Sequence, residues 1–360
     1  MNDDTRGYPP IADHGLIGDL RTAALVGTDG TIDWFCAPRF DSPSVFGSLL
    51  DAERGGHWRI FPLCPVLMVR QFYFPDSNVL VTRFHAEDGV VEVQDFMVVM
   101  REHDPEHRQR LVRRIAGVRG TVRVDVHVAA RMDYGRVTPG IRRTPRGIRF
   151  DGPELTLDLR ADVELDVDDG DVRAQFDVDK GDEVLFVLEV PEDGSSEEDV
   201  RGQELFEATT AFWRRWIGKS QYAGRWREMV HRSALTLKLL THEPSGAIIA
   251  APTAGLPEQI GGGRNWDYRY VWIRDAAFSL YALLRLGFTD EAEAFMHWLT
   301  DRLADGNDGE RGPLRVMYTI DGKVDLDERE LGHLAGYRGS SPVRIGNAAA
   351  EQLQLDIYGE

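Results

Sequence analysis

Three glycine- and proline-bearing stretches in the second half of the chain gather aromatic, guanidinium and carboxylate groups. That mixture suits the rim of a site for a neutral, polyhydroxylated molecule. The first runs Pro252-Thr253-Ala254-Gly255-Leu256-Pro257-Glu258 and resumes at Gly261-Gly262-Gly263-Arg264-Asn265-Trp266-Asp267-Tyr268-Arg269-Tyr270-Val271-Trp272-Ile273-Arg274-Asp275. Indole and phenol faces pack on the C–H face of a sugar ring, while Arg274 and Asp275 reach hydroxyls through charge-assisted hydrogen bonds. The competing reading is an Arg–Asp pair and buried aromatics that stabilise a helix start, and the residues alone leave both open. The second stretch, Asp325 to Pro342, offers Asp327, Glu328, Glu330, His333 and Tyr337; an acid run of this kind is usually a solvated face. The third, Val343-Arg344-Ile345-Gly346-Asn347, sets a cation and an amide before an expected helix N-terminus, a place to hold an oxygen-rich ligand.

Other chemistries find no support in the sequence. The triple glycine follows a Pro/Glu loop and lacks both the GxGxxG spacing and a Gly-Lys-Ser/Thr ending, so it is no phosphate cradle. His14, His57, His85, His127 and His297 show no ligand spacing, and no metal site or cofactor is expected. There is no Gly-x-Ser-x-Gly nucleophile elbow. Cys36 and Cys64 fit reduced core thiols in a cytoplasmic protein. The formal charge of −18 repels phosphate backbones and anionic lipid, which argues against nucleic-acid or membrane partners. No stretch approaches the roughly 18 apolar residues of a membrane span.

The elements that must position these loops fall into two kinds. From about Ile11 to Val190 the pattern has period two, clearest where Val122, Val124, Val126 and Val128 alternate with Arg123, Asp125 and His127. Leu155, Leu157 and Leu159, then Val184, Phe186 and Leu188, repeat it, so an antiparallel β-sandwich is predicted over residues 1–190. An acidic stretch without apolar residues follows, predicting a linker at 191–203. From 204 to 360 the spacing is helical. Helices are predicted over Glu204–Trp216, Arg225–Leu240 and Ile273–Leu286, the last apolar on most faces and expected to be buried, with Gly287 as its stop. Thr289 caps a further helix bearing Phe295, Trp298, Leu299 and Leu303, and another is predicted from Asn347 through Leu353, Leu355 and Ile357.

These motifs together resemble glycoside hydrolase family 15, the bacterial trehalase and glucoamylase-like enzymes. The likeness rests on Gly255-Leu256-Pro257-Glu258, on Arg264 to Tyr270 with Trp272 to Ala276, and on Gly336 to Ser340 with Pro342 to Asn347. It rests also on His14 to Asp19, Arg21 to Val26, Gly30 to Trp34 and Pro38 to Pro43, so it spans nearly the whole chain. The resemblance implies an N-terminal antiparallel β-sandwich followed by an incomplete (α/α)6 toroid. It implies that Trp272, Arg274 and Asp275 hold the non-reducing glucose at the cleaved bond and that Arg344 is a second sugar contact, with Trp266, Tyr337 and His333 as weaker carry-overs.

An inverting glycosidase needs a protonated acid and a separate base, about 6.5–9.5 Å apart across the sugar. The resemblance places both beyond Tyr358-Gly359-Glu360, so no catalytic residue is assigned and the chain is expected to be a truncated enzyme with little turnover. Apolar faces on Ala276 to Leu286 and Leu353 to Ile357 are then expected to lack neighbours, favouring association. The implied substrate is trehalose; α-1,4- or α-1,6-glucans are the alternative, and a non-catalytic sugar-binding fragment is a third reading.

Overall fold

The computed structural model describes residues 8–191, 201–304, 314–355, 357 and 359. Strands between His14 and Glu189 form a 15-stranded antiparallel network, and the one that organises it is Arg110–Ala129. Its first half pairs with Gly89–Met97 and Glu183–Glu189, its second half with His57–Pro62 and Asp171–Asp179. One strand thus enters two sheets, and a single core draws on both, from Trp58, Val124 and Val126 to Val93, Leu111 and Phe186. The bend falls at Gly120, whose φ is +66° and whose Cβ position would lie 2.1 Å from the Asp88 carbonyl oxygen, so only glycine fits. Beyond it Val122, Val124, Val126 and Val128 are buried, Arg123 is exposed, and Asp125 and His127 are half-buried, as the period-two reading requires. Below the bend, on the same strand, Arg113 is fully buried against Asp95 and donates to the Trp58 and Gly30 carbonyls at 2.6 and 2.7 Å.

Three of the histidines that lacked ligand spacing, His14, His57 and His127, make side-chain contacts within the sandwich, whereas His297 lies on the helix Asp290–Ala304. His14 pairs with Asp33 at 2.8 Å. His57 meets His127 at 3.0 Å, His127 meets Asp171 at 2.8 Å, and Arg131 closes the row on the other Asp171 oxygen at 2.8 Å. Burial, reinforced by the neighbouring His127 and by Arg59 and Arg131 against the opposing pull of Asp171, holds the His57 imidazole down to about 4.

The second kind of architecture consists of the helices Gly202–Ile217, Arg227–Leu239, Ile273–Arg285 and Asp290–Ala304, with short hairpins between them. The helix Ile273–Arg285 ends as expected. The Gly287 N–H donates to Leu284 O and the Phe288 N–H to Leu283 O, with Gly287 at φ +94°, the Schellman pattern of a left-handed stop. A buried cluster joins three helices: Glu291 accepts from Lys238 Nζ at 2.7 Å and from Trp216 Nε1 at 2.6 Å, and Trp216 stacks on Phe288. Burial pushes the Glu291 carboxyl up, but the Lys238 charge and both hydrogen bonds outweigh it and hold it below the ordinary value.

Compact units follow the two kinds of architecture, with an exception in the chain. One comprises Met1–Asp19, Ala23–Pro38 and Ser42–Trp213; the other takes Arg214–Glu360 together with Leu20–Thr22 and Arg39–Asp41. The division falls inside the helix Gly202–Ile217. Of the stretch expected as a linker, residues 192–200 lie outside the described residues.

Two expectations are corrected. The helix Ile273–Arg285 buries only the stripe Ile273, Ala276, Leu280 and Leu283, whereas Phe278, Tyr281 and Leu284 are 57%, 64% and 47% exposed. Its apolar character marks a second face that no described residue covers. The helix expected from Asn347 is a single 3-10 turn, Ala348–Glu351, after which Gln352 is extended and Leu353 and Leu355 are exposed. The alanines favour a helix, but the Asn347 cap closes only one turn, and among the described residues Leu353 and Leu355 stand exposed with no packing to prolong it. Asp356, Tyr358 and Glu360, and with them most of the Tyr358-Gly359-Glu360 motif, lie outside the described residues, as does the Leu303 side chain.

Candidate functional site

Residues Asn265 to Tyr270 alternate polar and aromatic with the period of a strand, and Asn265–Asp267 is one, paired antiparallel with Ala254–Pro257 so that Leu256 faces Trp266. From Asn265 to Arg269 the buried set is the polar one, and Tyr270 beyond it is buried as well. Asn265, Asp267 and Arg269 are each 0% exposed, while Trp266 and Tyr268 stand half-exposed on the other side. Burying polar side chains calls for hydrogen bonds, and here the donors are spent on loop carbonyls and on a neighbouring carboxylate, while the Asn265 Oδ1 is buried without a partner. Asn265 Nδ2 donates to the carbonyls of Gly262, Ser340 and Pro342, each at 3.1 Å. Arg269 forks onto Asp267 through Nε at 2.9 Å and Nη2 at 2.7 Å and reaches the Phe40 carbonyl at 3.4 Å.

The stretch around Arg344 locks onto this strand. Asn347 Nδ2 donates to the Asp267 carbonyl at 3.1 Å, and its Oδ1 accepts from Ala349 N at 3.0 Å, so the amide expected to hold a ligand is spent internally as a cap. Gly346, at φ +73°, lets the acid segment lie against it: a Cβ there would stand 2.0 Å from the Asp327 carbonyl oxygen. The short strands Arg329–Glu330 and Arg344–Ile345 then pair, bringing both glutamates to Arg344. Arg344 Nε lies 3.1 Å from Glu328, Nη2 lies 3.5 Å from Glu330, and Nη1 donates to the Gly263 carbonyl at 2.7 Å. Its guanidinium carbon sits 5.0 Å from the centre of the Trp266 ring.

Trp272 stands at the N-terminus of the helix Ile273–Arg285, paired through its strand with Met317. It is 8% exposed, packs with Tyr270, Val316, Met317, Leu326 and Ala350, and its indole Nε1 is buried without a hydrogen-bond partner. Tyr268 lies 6.0 Å from it, centre to centre. Arg274 reaches over the Trp272 ring at 5.9 Å and meets Asp275 at 3.3 Å, with both charged side chains partly open to solvent. Burial, with the charges of Glu258 and Asp275 and against that of Arg274, pushes the Tyr268 phenol up, which keeps it a protonated hydroxyl at neutral pH.

The structure thus brings Trp272, Arg274 and Asp275 together, and separately Trp266 with Arg344. The segment Arg344–Glu351 ties the two groups, because Asn347 holds the Asp267 carbonyl while Ala349 and Ala350 pack in the Trp272 cluster. Tyr337 is placed differently. It is 1% exposed, with Arg338 above its ring at 5.2 Å, so it is an interior support of its turn. His333 is half-buried in the same Leu331–Ser340 segment. Glu328 was named from the sequence only as one of an acid run, and the buried set Asn265, Asp267 and Arg269 only as part of its loop, although the alternation of polar and aromatic residues there was a signal for the latter three.

Comparison with known proteins gives a consistent answer. Residues 5–213 match the family described as trehalase-like, N-terminal, and residues 224–360 match glycosyl hydrolases family 15. A trehalase of Mycolicibacterium smegmatis is 38% identical over 98% of this chain and 56% of its own length. A trehalase of Thermoplasma volcanium is 37% identical, again over 98% of this chain and 56% of its own. Among solved structures, a bacterial glucoamylase complexed with acarbose aligns with a TM-score of 0.62 at 14% identity, over 86% of this chain and 52% of that one, a likeness of fold. The chain spans just over half the length of the curated relatives it matches.

Proposed function

The chain belongs to the trehalase-like proteins of glycosyl hydrolase family 15, and from that premise we propose that it holds the non-reducing glucose of an α-glucoside, trehalose first. The reading takes residues 1–190 as the trehalase-like domain, 191–203 as a linker and 204–360 as the first part of the helical domain, in a cytoplasmic protein. No helix among the described residues is long and apolar enough to cross a membrane.

The observation that carries this is the inverted burial pattern over Asn265–Arg269. Burying three polar side chains and leaving two aromatic faces partly open is costly unless the open faces are used. Trp266 and Tyr268 then offer stacking surfaces, Arg344 covering one side of the Trp266 ring. The Trp272 N–H is a buried donor awaiting an acceptor, a role a sugar hydroxyl fills. Arg274 and Asp275, adjacent and partly exposed, supply a donor fork and an acceptor for neighbouring hydroxyls. Tyr337 and His333 act from behind, supporting the loop.

Proton transfer is a separate matter. Four carboxylates here face a guanidinium: Asp275 meets Arg274, the buried Asp267 meets Arg269, and Glu328 and Glu330 meet Arg344. Such pairing suits holding and orienting, and we place the acid and base of the inverting reaction outside this set. Trehalose is preferred over α-1,4- or α-1,6-glucans because the relatives named above are trehalases.

The test combines calorimetry with a glucose assay on the 360-residue chain. Trehalose binding should weaken about tenfold or more in Arg274→Ala and in Asp275→Asn, the loss of one charge-assisted bond. Glucose release from trehalose, maltose and isomaltose should be lower by about 10²-fold or more than an acid–base pair would support. Unchanged affinity in both variants would defeat the site, and robust release would show that carboxylates of this chain do the chemistry.

A further inference from the structure

Arg344 is usually read as a whole side chain, yet its three kinds of nitrogen have different surroundings. Nη1 is bound to the Gly263 carbonyl at 2.7 Å. Nε, buried and making no hydrogen bond, lies 3.1 Å from Glu328 as an ion pair, and the other Glu328 oxygen accepts from Ala348 N at 3.3 Å. Glu328 therefore ties the guanidinium to the turn that follows Asn347, and its side chain is 24% exposed. Nη2 has the loosest partner, Glu330 at 3.5 Å, whose side chain is 60% exposed. A surface hydrogen bond of that length contributes little and exchanges readily, whereas the Nη1 hydrogen bond is short and the Nε–Glu328 ion pair is shielded by burial.

We infer that Glu328 is a positioning residue that aims Arg344, so that Nη2 alone is free to donate to a ligand hydroxyl and Glu330 is the partner it leaves. This rests on the sugar reading above and deepens it, dividing one side chain into two anchors and one working donor. The two glutamates then have opposite roles although both are counter-ions of the same guanidinium. Glu328 holds the donor in place; Glu330 competes with the ligand for it.

That opposition is the test, because a purely structural or electrostatic role would move both variants the same way. Calorimetry with trehalose on the full 360-residue chain should show Glu328→Gln binding about tenfold more weakly and Glu330→Gln about two- to threefold more tightly. Equal weakening in both, or no change in Glu328→Gln, overturns the inference. Amide hydrogen exchange over residues 261–267 and 344–347 supplies a reading that needs no sugar. Glu328→Gln should speed exchange there about tenfold and Glu330→Gln by less than about twofold. If the parent chain binds no trehalose but this exchange pattern is found, the sugar reading falls and the positioning role stands; equal exchange in the two variants removes the role as well.

Discussion

Two stretches of this molecule alternate with the same period and bury opposite sets of side chains. Along Val122–Val128 the valines face the core and Arg123, Asp125 and His127 face outward. Along Asn265–Tyr270 the inward set is Asn265, Asp267 and Arg269, and Trp266 and Tyr268 face outward. The first strand lies between two neighbours that satisfy its main chain, so its inner face needs only to be apolar. The second has one short partner and is surrounded by loops whose carbonyls need donors, and long polar side chains supply them. Period decides which residues share a face; the hydrogen-bonding needs of the surroundings decide which face goes inside.

The largest expected effect breaks the inverted stretch at its centre. Asp267→Ala removes the carboxylate onto which the buried Arg269 forks, and should lower local stability by about 3–5 kcal/mol, seen as faster hydrogen exchange over residues 254–272. Arg123→Ala, at an outward polar position of the ordinary strand, should change stability by about 0.5 kcal/mol or less. Similar losses in the two variants would erase the contrast.

A second experiment asks whether the outward set of the sandwich strand is silent. His57 is held at about 4 beside His127, whereas the unfolded imidazole titrates near its ordinary value of 6.5. Between those values the unfolded chain binds the extra proton, so this stabilisation is complete above pH 6.5 and is lost as pH falls toward 4. Its size is about 2–3 kcal/mol. Urea unfolding of the sandwich between pH 4 and 7 should show the slope, and His57→Phe should remove most of it.

Smaller effects sharpen the comparison. Asn347→Ala removes a cap and the donor to the Asp267 carbonyl, a loss of about 1–2 kcal/mol confined to residues 265–272 and 344–351 by hydrogen exchange. Trp272→Phe deletes an N–H that already lacks a partner, so the melting temperature should correspond to less than about 1 kcal/mol of change. Trehalose affinity should nonetheless drop, and a parallel loss of stability and affinity would mean the indole is only packing.

The sandwich was legible because its strands carry their own signal: valines at every second place can satisfy only a face turned to the core. The stop at Gly287 was legible for a similar reason, since a left-handed residue after an apolar run has few other uses. The turn at Ala348–Glu351 was not, because local propensity favours a helix there, whereas among the described residues Leu353 and Leu355 are exposed and give it no packing. Trp272, Arg274 and Asp275 could be named from their order in the chain. The partners of Arg344 could not, because Gly263 and Glu328 reach it through folding of distant loops, and nothing in a linear string states which carboxylate of an acid run turns inward.

Leu20–Thr22 and Arg39–Asp41 count with the helices although they are threaded between strands. The Phe40 carbonyl receives Arg269, and Arg39 clasps Asp321 at 2.7 Å. A chimera built by splicing at Trp213 would therefore inherit a graft missing part of its own foundation. Anyone recombining such sequences as interchangeable cassettes must carry these few N-terminal residues along or design substitutes for them.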